Sequence, residues 1–94
     1  MNLVTRSLLR RTLGRQFSEG ARLLWFELGK RGWDQSAAAR ELGTSSGTVN
    51  RWLYGERRPS AEWAARIESV LAIPARTFGE PPTQEFEPPA AESA

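Results

Sequence analysis

The chain predicts an all-α fold, a compact bundle of four or five short helices, and three observations carry that expectation. Helix-capping side chains at Asp34, Ser45 and Ser60 follow glycines at 32, 43 and 55, so the chain is punctuated into short helical stretches. Between those marks, apolar residues recur three or four apart, as at Leu24 and Leu28, Val49 and Leu53, and Ile67, Val70 and Leu71. That is the spacing of one buried helical face. Ninety-four residues also suit one domain with one modest core.

The first helix is expected from about Ser18 to Lys30, with Leu24, Leu28 and Trp25 toward the core and Gly32 as its stop. Asp34 caps a second helix over 35–41, in which Ala38 and Ala39 are small enough for a neighbouring helix to cross closely. Gly43 suits the left-handed backbone of a turn. Ser45 then caps a third helix over 46–54 by accepting from an amide near Thr48, and Gly55 ends it. Val49 and Leu53 share a face and are expected inside, with Trp52 at the core's edge. Ser60 caps a fourth helix to about Leu71, and Pro74 to Phe78 adds a last turn under the core. Helices two and three, joined by a short turn containing Gly43, form a helix-turn-helix pattern.

Composition narrows the chemistry. The chain has no His and no Cys, which removes His general bases, Cys nucleophiles, disulfides and most zinc sites. No carboxylate pair, metal set or phosphate-binding glycine loop stands out, so the chain is read as a non-enzyme without cofactor or metal. No apolar run approaches the roughly 20 residues of a membrane span, and no membrane partner is expected. Charge is uneven: residues 1–58 hold 11 Arg/Lys against 5 Asp/Glu, a net of +6, and residues 59–94 hold 2 against 6, a net of −4. A basic body suits a polyanionic partner.

Three parts follow: a basic amphipathic arm over 1–17, a helix-turn-helix domain over 18–78, and a disordered Pro/Glu-rich tail over 79–94. The arm has no acid, four arginines, and Leu9, Leu13 and Phe17 at four-residue intervals. Packing on the domain, dimerisation, contact with DNA, an acidic membrane surface or a presequence role are all open to such a segment.

From about Arg22 to Phe78 the chain resembles the lambda-repressor/Cro-like (XRE) DNA-binding domain. The resemblance rests on Gly32, Gln35, Ala39, Leu42-Gly43, Ser45, Val49, Arg51-Trp52, Gly55 and Pro59 at that family's spacing. Members often pair an Arg on the first helix with a Glu near the end of the third; here those positions are Leu28 and Leu53, both apolar, so no charge is left unpaired. Thr44 also departs from the usual branched apolar residue.

The resemblance implies that the third helix reads double-stranded DNA. With Val49 and Leu53 inward, Ser46, Gly47, Asn50, Arg51 and Tyr54 face outward. Ser46, Gly47, Asn50 and Arg51 are the expected base contacts, Asn50 suiting adenine and Arg51 suiting guanine or a phosphate. Gln35, Ser45, Tyr54, Arg57 and Arg58 are the expected phosphate contacts, Ser45 acting first as a cap. The four tryptophans are expected to pack rather than to stack on bases. The leading expectation is a small cytoplasmic transcriptional regulator of bacterial or phage origin, a repressor that binds an operator as a homodimer. The competing one is a protein-interaction module, such as an antitoxin or anti-repressor, that uses the domain, the arm or the acidic tail around Phe86.

Overall fold

The computed structural model describes residues 17–88. The sequence expectations for the arm up to residue 16 and for residues 89–94 lie outside these. The described chain is all-helical, with four α-helices and a closing 3₁₀ turn: α1 (Glu19–Arg31), α2 (Gln35–Leu42), α3 (Ser46–Leu53), α4 (Ala61–Leu71) and the turn Ala75–Gly79. No helix among the described residues is long and apolar enough to cross a membrane.

Local chemistry accounts for each boundary. Ser18, Asp34, Ser45 and Ser60 are all extended N-caps whose side-chain oxygens accept from the backbone amides of Ala21, Ala37, Thr48 and Trp63. Each satisfies a donor that the first helical turn leaves unpaired. Gly43 ends α2 at φ 85, a left-handed conformation that a side chain would strain, and its amide and that of Thr44 both donate to the Ala39 carbonyl. α3 ends at Leu53, one residue earlier than expected, with Tyr54 as the C-cap. α4 stops on Ala72, which takes φ 62 without being glycine. Nothing in the sequence marks that position.

Leu24 and Leu28 of α1, Ala38, Ala39 and Leu42 of α2, and Val49, Trp52 and Leu53 of α3 form one core with Ile67, Leu71, Ile73 and Phe78. Trp52 was expected at the core's edge, but it is buried among these residues with its ring 5.8 Å from that of Trp63. Its position three residues from Val49 puts it on the inward face once α4 covers that side. Val70 is half-buried against the cluster rather than within it. Leu28 and Leu53 are both buried in the same core, so the apolar pair replaces an ion pair without an orphaned charge. Phe78 closes the bottom: its ring lies so near α1 that a Cβ on Gly20 would sit 2.5 Å from it.

Residues 80–88, the first part of the segment expected as a disordered tail, form no regular helix and lie against α1. The Glu19 amide donates to the Glu80 carbonyl at 2.9 Å, and the Thr83 amide donates to Glu19 Oε1 at 2.7 Å. Arg22 pairs with the same Glu19 carboxylate. Phe86 stacks on Phe17 with ring centroids 6.1 Å apart and lies 6.4 Å from the Trp25 ring. Composition pointed to an unpacked chain, but one aromatic and one threonine are enough to anchor this stretch to α1.

Candidate nucleic-acid interface

The two helices of the motif are held at a fixed angle by small and branched side chains. Ala38 and Ala39 are buried where α2 meets α3, and Leu42 and Val49 are completely enclosed. Arg66 of α4 reaches across and donates from Nε to the Leu42 carbonyl. That carbonyl is one that the end of α2 cannot satisfy internally. The turn is therefore pinned from outside the motif by a residue that sequence reasoning had not singled out. No local signal reveals it, because the partners are 24 residues apart.

α3 is fixed at both ends. At its start, the Ser45 hydroxyl accepts from the Thr48 amide at 3.2 Å and lies 2.9 Å from the Thr48 hydroxyl. At its end, the Trp25 indole N–H donates to the Leu53 carbonyl at 2.7 Å. The loop beyond is folded back onto the helix: the amides of Glu56 and Arg57 both donate to the Arg51 carbonyl, at 3.0 and 3.3 Å. Backbone bonds thus fix where the Arg57-Arg58 segment leaves the helix.

Successive residues turn by about 100° around a helix, so Val49, Trp52 and Leu53 define a buried face, and Ser46, Gly47, Asn50 and Arg51 fall on the other side. Ser45, Ser46, Gly47 and Arg51 are exposed, and Asn50 is half-buried at the border of the face. Arg57 and Arg58 are exposed in the following loop. Gln35 is the first residue of α2, half-buried, at a helix N-terminus whose free amides favour an anion. Tyr54 is different. Its ring is half-buried and meets Trp25 edge-on at 5.3 Å, so most of the side chain is committed to packing. The expectation of packing tryptophans fits this geometry, since Trp25, Trp33 and Trp63 all lie against the core.

α3 carries no acidic residue, and its last turn carries Arg51. The result is a short, rigid helix whose outer face offers an amide, a guanidinium, a hydroxyl and a bare backbone, with two more arginines close behind. The fold and this face together define a helix-turn-helix DNA-binding protein. A helix-turn-helix family model matches residues 27–78, more than half of the chain. The chain belongs to that family, the XRE-type, lambda-repressor/Cro-like group of DNA-binding regulators. No curated protein and no solved structure matches the chain.

Proposed function

We propose that this protein is an operator-binding transcriptional repressor, cytoplasmic and encoded by a bacterium or a phage. It inserts α3 into the major groove and reads bases with Ser46, Gly47, Asn50 and Arg51. The carrying observation is the outer face of α3, exposed and polar on a helix whose two ends are pinned before any ligand arrives. Asn50 matches the donor–acceptor pair of adenine, and Arg51 matches guanine or a phosphate. Gln35, Ser45, Arg57 and Arg58 grip the phosphate backbone on either side, and Tyr54 adds at most its hydroxyl.

Two copies on a pseudo-palindromic operator place their recognition helices about 34 Å apart, one turn of DNA. Repression then requires only occupancy of a promoter. The competing interaction-module reading would present Phe86 as a docking residue, but that ring already stacks on Phe17 and faces Trp25.

Selection from random duplex DNA with the full chain, at about 150 mM salt to suppress non-specific binding, tests the proposal. The expected outcome is an enriched palindrome. Weak, salt-sensitive binding with no enriched sequence would overturn it.

A further inference from the structure

The end of α3 is held by a bond whose strength is set outside the motif. The backbone amides of residues 54–57 donate to the carbonyls of Asn50, Trp52 and Arg51, while the Leu53 carbonyl takes the Trp25 indole at 2.7 Å. A carbonyl at that position has no partner within its own helix. The bond is only part-buried, so water competes for both of its groups, and its strength depends on what keeps the Trp25 ring in place. Trp25 is half-buried and borders a groove of about 690 Å³, so the core does not enclose its ring. Two other rings hold it. Tyr54, the C-cap of α3, meets it edge-on at 5.3 Å, and Phe86, a wall of the same groove, lies tilted to it at 6.4 Å.

We infer that Phe86 is a positioning residue for α3: the segment over 80–88 braces the Trp25 ring and, through it, the end of the helix proposed to read DNA. The brace is fastened at a point far from α3. The Glu19 amide donates to the Glu80 carbonyl at 2.9 Å, and the Glu19 carboxylate accepts from the Thr83 amide at 2.7 Å and faces the Thr83 hydroxyl at 3.1 Å. Three residues of chain span at most about 10 Å, so the clip at Thr83 limits how far the Phe86 ring can move from Trp25. Phe17 stacks on Phe86 in turn, at 6.1 Å. Every step from Glu19 to Leu53 is thus a hydrogen bond, a ring contact or a short stretch of chain.

The other end of the motif is held independently. Ser45 caps the start of α3, and Arg66 holds the Leu42 carbonyl ahead of the turn; no residue of the brace takes part in either bond. Loss of the brace therefore loosens the last turn of α3 and the Arg51 carbonyl that anchors the following loop, and leaves the first turn as it is. The functional consequence rests on the operator-binding reading: Arg51, Arg57 and Arg58 lose alignment while Ser46 and Gly47 keep theirs.

Hydrogen exchange in the full-length protein tests the brace without DNA. The Trp25 indole N–H, assigned with Trp25→Phe, and the Tyr54 and Gly55 amides report on the end of α3. The Gly43 and Thr44 amides, both bonded to the Ala39 carbonyl, report on the turn. Phe86→Ala is expected to speed exchange at the first set about two- to tenfold, the weight of one aromatic pair, and to leave the second set unchanged. Glu19→Gln, which alters neither ring, is expected to act on the same first set, and Phe86→Tyr to restore the original rates. Unchanged exchange of the Trp25 indole in Phe86→Ala would overturn the proposal. Equal acceleration at Gly43 and Thr44 would overturn it as well, since that marks a general loss of stability. A failure here leaves operator binding standing, and a failed selection from random DNA leaves the brace standing.

Discussion

At the scale of single residues, the proposed reading divides the polar side chains of the interface into two kinds with different signatures. Asn50→Ala is expected to relax preference at one base pair by about 1–3 kcal/mol and to leave the other positions unchanged. Arg57→Ala is expected to weaken binding evenly across sequences and to lower the salt slope by about one. Competition assays over a set of single-base operator variants distinguish the two patterns, and an even loss for Asn50→Ala would remove it from base recognition. Inside the core, Leu28 and Leu53 set a second test. Leu28→Arg buries a charge with no partner and is expected to cost about 3–5 kcal/mol in denaturant unfolding. Leu53→Glu in the same chain is expected to recover much of that loss; no recovery would mean that the two positions do not face each other.

Residue roles were legible where their partners are close in sequence. Asp34, Ser45 and Ser60 each bond an amide three residues on, so a capping pattern identifies them. Gly20 was silent, because the reason for its lack of a side chain is Phe78, far along the chain. Trp25 was read as a face residue, yet its indole bond to the Leu53 carbonyl spans 28 residues and leaves no trace in local spacing.

Among the elements, the segment over 80–88 has contacts with α1 that composition alone does not reveal. Prolines and glutamates gave it the profile of an unpacked tail, and beside the Phe86 ring contacts and the Glu80 carbonyl it is attached through one carboxylate, that of Glu19. Arg22, hydrogen-bonded to Glu19, holds that carboxyl down at a pKa of about 2 against an ordinary 4.5, helped by the Thr83 amide and hydroxyl and opposed by burial. A depressed folded pKa means that the folded state binds fewer protons than the unfolded one over that interval. The stabilisation is therefore fully present above about 4.5 and is lost as pH falls through about 2. Detachment of the segment, followed through the aromatic contact of Phe86 with Trp25 by NMR, is expected within that window. Glu19→Gln is expected to weaken the attachment at neutral pH and to flatten its pH dependence; an unchanged acid transition would place the proton elsewhere. The helices were easier to read than this segment, because their caps and apolar stripes lie close together along the chain.

For the whole molecule, the helix-turn-helix was visible because nearly every level of the sequence agrees on it: small residues at the crossing, a glycine at the turn and two inward side chains on α3. What remained hidden was the set of long-range bonds that hold this motif against its surroundings. Arg66 on the Leu42 carbonyl and Trp25 on the Leu53 carbonyl tie both motif helices to neighbours that sequence spacing cannot relate to them. The charge asymmetry, by contrast, is legible at a glance. If about six phosphates are neutralised, the logarithmic salt slope is about −5.

The indole on the Leu53 carbonyl has a thermodynamic consequence. On the proposed reading α3 is the helix that reads DNA, and, closed at one end by Ser45 and at the other by Trp25, it has already surrendered its conformational freedom during folding. Association with DNA then carries little further ordering of the protein backbone, unlike a reader that becomes helical on its target. Calorimetry on the enriched operator is expected to give a heat-capacity change set by the contact area of rigid docking alone. Trp25→Phe, which keeps the ring and deletes the N–H, is expected to make that change more negative as the end of α3 orders on binding.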